Sequence, residues 1–337
     1  MVFRIATFGC WNNKRNLIFD TKIAFEEVSR LIRQNNEFRS YYELVILGDN
    51  YYPNKIQIND KKIVHYDEDE VEHGFCSINQ IKIQNKYLIM GNHDLDDTLS
   101  YINKDGNTKS DCQLLQYQKN LFNYGINVVF PFGYKIQKVD EIKYKYIFID
   151  TTVYSYKDTQ TTCTDVILGE NYNTIKRRQN EFIVSQIQND DANNIIIFGH
   201  EPLISVKKGK DEYKKNMIIE LLNLIYDTNT TKKISYICAD VHLYQSCKIR
   251  KLNSAIEIDQ IVCGTGGAEL DLMPETVIRP IIFSNINDTT YNMQINNFAK
   301  IHGYVELELT NTGLSHTFIP IPQTGGRNAR RYWINYQ

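Results

Sequence analysis

Seven apolar runs of strand length constrain this fold more than any other feature: Arg4 to Gly9, Leu44 to Leu47, Tyr87 to Met90, Tyr146 to Ile149, Asn194 to Phe198, Ile234 to Cys238 and Gln260 to Cys263. Near-continuous apolar runs suit strands buried on both faces. Between them, apolar residues recur at helical spacing. Ile23, Ala24, Val28, Leu31 and Ile32 form one such set, with Asp20 as its cap, and Ile175, Phe182, Ile183 and Ile187 form another, capped by Thr174. Met217 to Ile225 reads as a further helix. This alternation predicts an α/β layered fold. Tyr304 to Glu308 and Leu314 to Ile319 alternate like a hairpin that closes an antiparallel edge. No Pro/Gly/Ser-rich linker or internal repeat divides the chain. One domain over residues 1–322 with a C-terminal tail over 323–337 is therefore the simplest organisation.

Four blocks place donor side chains directly after apolar runs: Gly48-Asp49-Asn50-Tyr51-Tyr52, Gly91-Asn92-His93-Asp94, Gly199-His200-Glu201-Pro202 and Asp240-Val241-His242. Open α/β sheets bind ligands at the C-terminal ends of their strands, so residues far apart in sequence can converge there. Asp49 has two carboxylate oxygens and suits a bridge between two ions held roughly 3.5–4 Å apart. Asn92 offers a carbonyl oxygen to a metal, and His93 can give a proton to a leaving oxygen, with Asp94 orienting it. Pro202 ends its strand and leaves His200 at the sheet end. Asp240 and His242 point to one side if the backbone stays extended. Taken singly, Gly-Asp-Asn also suits an ordinary turn and the other blocks suit polar loops. Four in one chain, each at a strand end, point to a two-metal phosphoester site.

Lys and Arg number 38 against 40 Asp and Glu, a formal net charge of -2, so no whole-chain field draws the protein to nucleic acid or an anionic membrane. Neither partner is expected. The seven cysteines are scattered without a Cys-x-x-Cys pair, which argues against a disulfide framework. The segment after Met1 lacks the core of a signal peptide. A cytoplasmic monomer is the expectation.

In this order, the blocks resemble the calcineurin-like metallophosphoesterases, and within them the small, tartrate-resistant purple acid phosphatases. Their pattern is Gly-Asp-x-x-Tyr, Gly-Asn-His-Asp, Gly-His-x-Pro and Gly-His-x-His. Ile58-Asn59-Asp60-Lys61, Phe130-Pro131-Phe132, Ile149-Asp150-Thr151 and Gly264-Thr265-Gly266-Gly267 are similar to segments of that subfamily. The resemblance implies a four-layer α/β/β/α sandwich of two mixed β-sheets flanked by helices. It implies two divalent or mixed-valence metal ions (Fe, Zn or Mn). Asp49 bridges them; Tyr52 and His242 serve the first ion, Asn92 and His200 the second, and His93 is the acid near the leaving group.

Two positions depart from the pattern. The family begins Gly-Asp-x-Gly, whereas this chain reads Gly9-Cys10-Trp11-Asn12; later Asp240 replaces the first His of Gly-His-x-His. Cys10 as thiolate is a soft ligand suited to Zn²⁺ or Fe²⁺. With Cys10, Asp49, Tyr52 and Asp240 all ionised, the added ligand charge would reduce the metals' Lewis acidity. The expectation is a phosphoric monoester hydrolase in which metal-bound hydroxide attacks phosphorus and His93 protonates the leaving group. Its substrate is a phosphorylated small molecule or phosphoprotein. The alternative is a weakened or inactive scaffold or binding protein that keeps the fold. Lys207, Lys208 and Lys210 after the His200 block suit a solvated basic loop or an anionic substrate.

Overall fold

The computed structural model describes residues 1–13, 16–18, 22–52, 54–58, 61–65, 67–95, 101–102, 108–109, 112, 121, 124–155, 163–208, 213–273, 281–284, 290–322 and 334–335. Two mixed β-sheets face each other. The first has six strands in the order Ile126–Val128, Asn85–Ile89, Glu43–Leu47, Phe3–Phe8, Gly303–Leu309 and Leu314–Pro320. Its first four strands are parallel, and the last two form the antiparallel edge expected from the alternating tail. In the second sheet, Ile142–Phe148, Asn194–Phe198, Lys233–Cys238 and Glu257–Cys263 run parallel. Gly133–Val139 flanks them on one side, and Tyr244–Lys251, Thr290–Ala299 and Ile281–Ser284 on the other, all antiparallel.

The period-two alternation of strand side chains turns each apolar run into two core faces. Val45 and Leu47 point into the space between the sheets with Ile196, Phe198 and Ile237. Their neighbours Leu44 and Ile46 face outward against Phe25, Val28 and Phe75 of the helices Ala24–Arg39 and Glu68–Asn79. On the other side, Ile195 and Ile197 pack against Ile183, Ile187 and Leu221 of the helices Tyr172–Gln188 and Ile219–Asp227. The result is the four-layer arrangement, in which each fully buried Val, Ile, Leu or Phe contributes about 1.5–3 kcal/mol. Parallel strands in register bring Phe8, Leu47 and Ile89 to one end of the first sheet, and Phe198 and Cys238 to one end of the second.

Several local expectations are corrected. The Ala24–Arg39 helix has Ile23 at its N-cap without a side-chain bond, and Asp20 lies outside the described residues. The second helix begins earlier than Thr174: Asn171 is its cap, accepting from Asn173 N, because an Asn side chain reaches the second helical N–H. Residues 213–217 are a strand, so the following helix starts at Ile219. The acidic stretch Asp67 to Glu70 opens the Glu68–Asn79 helix, where Asp67 is the cap, accepting from the backbone of Asp69 and Glu70. Cys112 and Cys163 form a disulfide with Cα atoms 5.5 Å apart, a single bridge where the scattered cysteines argued against a disulfide framework. They are separated by 51 residues in sequence, so only the fold reveals their proximity. Of the tail, Ile334–Asn335 adds to the second sheet beside Asn297 and Phe298, while 323–333 lie outside the described residues. Among the described residues, no helix is long and apolar enough to cross a membrane.

Candidate metal centre

Backbone hydrogen bonds join the strand ends that carry the blocks, from Gly9 across to the second sheet and from Cys10 and Ala239 within each sheet. Gly9 N donates to Cys263 O (3.0 Å), Cys10 N to Gly48 O (3.0 Å) and Ala239 N to His200 O (2.8 Å). The Gly264 to Gly267 turn lies behind this junction: Gly266 N donates to Gly9 O and Ala268 N to Cys10 O, so its amides serve the scaffold. Three non-glycine residues leave their strands in the left-handed region: Cys10 (φ 54°), Asp49 (φ 51°) and Asp240 (φ 53°). Such backbone costs of the order of 1–3 kcal/mol per residue, and it collects where side chains must be aimed at a site.

The close approach also demands two glycines. A Cβ on Gly48 would lie 2.6 Å from Gly91 N, and one on Gly91 would lie 2.3 Å from Asp49 Oδ1. Asp94 is buried beneath this contact. Its Oδ1 accepts from Asn50 N (2.9 Å), and its Oδ2 from Asn50 Nδ2 and Gly91 N (both 2.8 Å). Asn50 Nδ2 also donates to Ile89 O (3.0 Å), and Trp11 Nε1 donates to Asn50 Oδ1 (2.9 Å). Asp94 thus locks the second block to the first.

The expected donors divide into two groups around Asp49. Cys10, Asp49 and His242 offer ligand atoms that all lie within 4.8 Å of one another. Tyr52 joins them, its hydroxyl donating to Asp49 Oδ2 (3.0 Å) and standing 3.2 Å from His242 Nε2. On the other side, His200 Nε2 lies 3.2 Å from Asp49 Oδ1 and 3.1 Å from Asn92 Oδ1. His93 completes the rim: its backbone N donates to Asp49 Oδ1 (3.1 Å), and its ring lies 4.9 Å from that of Tyr52. Asp240 is near enough for its charge to act on Cys10 and His200, yet its carboxylate does not belong to the three-residue group of converging donors.

Electrostatics follow from burial and proximity. Burial opposes charge on Asp49, but His200, His93 and His242 hold it well below the usual carboxylate range. Burial likewise opposes the imidazolium of His200, yet the Asp49 carboxylate pushes it up to about 10. Burial, reinforced by Asp49, drives the Cys10 thiol and the Tyr52 phenol well up. Asp240 is raised by burial, partly offset by His200.

The donor set fits metal ions. His200 Nδ1 donates to Leu47 O (2.6 Å) and His242 Nδ1 to Glu269 O (2.7 Å), which fixes each ring with Nε2 turned toward Asp49 or Tyr52. Metal-ligating histidines are oriented in this way by their second nitrogen. Cys10, Asp49, Tyr52 and His242 would hold one ion, and Asp49, Asn92 and His200 a second. A cation would also stabilise the thiolate that burial disfavours.

Glu269 and Asp271 are the supports that sequence reading missed. Asp271 Oδ2 accepts from His242 N (3.0 Å), and Asp271 N donates to His242 O (2.9 Å). Their one signal is an acidic pair shortly after the Gly-rich turn, which says nothing of the histidine it meets. Asn13, Tyr52, His93, His242, Glu269 and Asp271 help to line a cleft of about 600 Å³.

The fold is similar to that of GAP50, described as the anchor in the inner membrane complex of Plasmodium. That likeness covers 99% of this chain and 88% of that one, at 16% identity and a TM-score of 0.59. The purple acid phosphatase PPD1 of yellow lupin is similar over 95% of this chain, at 13% identity and a TM-score of 0.53. This chain spans only about half of the lupin enzyme, 52% of its length. PhoD is similar over 96% of this chain and 70% of its own, at 12% identity and a TM-score of 0.53. At such identities the likeness concerns the fold. No curated protein sequence matches the chain. The calcineurin-like phosphoesterase family, however, matches residues 3–244, which hold all four donor blocks, and the chain belongs to that family.

Proposed function

We propose that the protein is a metal-dependent phosphoric monoester hydrolase. The observation that carries this reading is the convergence of Cys10, Asp49 and His242 within 4.8 Å, with His93 on the rim of the same cleft. Bound there, divalent ions would supply Lewis-acid charge to phosphoester oxygens and lower the pKa of water. Asp49, fixed by Tyr52 and the His93 amide, holds its two oxygens toward the two donor groups. Cys10 favours a thiophilic divalent ion such as Zn²⁺ at the first group. His93, half-buried on the cleft wall, delivers a ring N–H proton to the leaving oxygen; general acid catalysis of this kind is worth about 10²–10⁴-fold.

A second reading, a scaffold with a weakened site, is favoured by one observation: the Asp240 carboxylate stands outside the three-residue group of converging donors. GAP50, described as an anchor, offers a precedent for that use of the fold. Metal content and aryl-phosphate hydrolysis decide between them. The variants are His93→Ala and the double substitution Cys10→Asp with Asp240→His. Metal-bearing wild type whose activity falls at least about 100-fold in His93→Ala supports the hydrolase. Activity that emerges only in the double variant supports the scaffold.

A further inference from the structure

Lys207 is a cation near the cleft that the proposed reaction leaves without a role. It lies on the Ile204–Lys208 strand, which follows directly from the His200 block. Its Nζ is 3.0 Å from Asp271 Oδ2, and the two side chains are 27% and 24% exposed, so the pair is sheltered yet open to a ligand. The same Oδ2 accepts from His242 N, and Asp271 lines the cleft with Tyr52 and His93. One carboxylate therefore ties an ammonium to the backbone of a candidate metal ligand.

The charge balance gives this ammonium a task. Glu269 and Asp271 line the cleft, so an approaching phosphate dianion meets carboxylates there and gains from a cation beside them. An ammonium has three N–H donors, and one carboxylate contact leaves capacity for phosphate oxygens. We propose that Lys207, held by Asp271 at the edge of this cleft, is an oxyanion-binding residue and receives the non-bridging oxygens of a phosphate monoester. The proposal rests on the hydrolase reading above. Its alternative is a purely structural tether, in which Lys207 and Asp271 only hold His242.

The test is calorimetric binding of inorganic phosphate to the Zn²⁺-reconstituted protein, with elemental analysis of every sample. Lys207→Ala should weaken phosphate binding about tenfold or more, as expected for a charge-assisted hydrogen bond, with metal content unchanged. Lys207→Arg, which keeps the charge, should recover most of the affinity. Wild-type phosphate affinity in Lys207→Ala overturns the proposal. So does loss of metal together with phosphate in that variant, which identifies the tether. Wild type that holds Zn²⁺ but binds no phosphate overturns the Lys207 assignment alone, whereas wild type that holds no metal overturns the hydrolase reading as well.

Discussion

Replacing Asp94 by Asn keeps the shape of the side chain but removes its charge and one acceptor, which makes it a sharp probe of what this residue does. The buried carboxylate accepts from three donors: Asn50 N, Asn50 Nδ2 and Gly91 N. In the best orientation of an Asn, one oxygen serves two of them and the amide group faces the third donor head-on. Hydrogen bonds to charged groups are worth about 1.5–3 kcal/mol, and a buried donor left unpaired costs about 1–3 kcal/mol. The expected loss is therefore about 2–4 kcal/mol, a large share of the roughly 5–15 kcal/mol that holds a domain together. Asp94→Ala should cost more, because all three donors lose their partner. Urea unfolding followed by circular dichroism, with His93→Ala as reference, measures this. His93 lies half-buried on the rim, so its removal should cost less than about 1 kcal/mol. If Asp94→Asn unfolds like wild type within about 0.5 kcal/mol and yet abolishes aryl-phosphate hydrolysis, the framework assignment is wrong and Asp94 acts on the reaction itself.

Three further outcomes are expected. Burial depresses the pKa of His302 to about 4, so the folded state disfavours its proton relative to the unfolded chain near 6.5. Its contribution is therefore fully present above pH 6.5 and is lost as pH falls toward 4, a change of about 3 kcal/mol; His302→Gln should flatten the acid limb of the stability profile, and an unchanged limb would refute the assignment. Gly91→Ala would bring a Cβ to 2.3 Å from Asp49 Oδ1, so metal affinity measured by chelator competition should fall roughly tenfold or more while secondary structure persists. Co²⁺ loaded into the protein should show near-ultraviolet sulfur-to-metal absorption that disappears in Cys10→Ser; equal spectra would exclude the thiol as a ligand.

The strands legible in sequence were those buried on both faces. Asn194–Phe198 was read to the residue, and Glu43–Leu47 to within one, since an unbroken apolar run has no other stable place than between two layers. Gly133–Val139 and Thr290–Ala299 escaped notice because their outward positions carry Tyr134, Lys138, Asn292 and Gln294, which dilute the apolar signal to a weak alternation. The convergence of Asp49, Asn92 and His200, and of Cys10, Tyr52 and His242, was legible because each follows a strand whose end the sheet fixes. The frame around them was not. Asp94's partners depend on how two loops cross, and the Asp271 contact to His242 joins segments 29 residues apart.

The left-handed backbone at Cys10, Asp49 and Asp240 bears on how such a site can change over generations. Side chains branched at Cβ are strongly disfavoured at these torsions, whereas short polar ones are tolerated. Drift there is channelled toward residues that still carry a thiol, amide, carboxylate or imidazole. The main chain thus acts as a filter on substitution, and a lineage that relaxes selection on catalysis still tends to inherit a donor at each strand exit. Such a site can be retuned for a different cation in a single step, without rebuilding the sheets that present it.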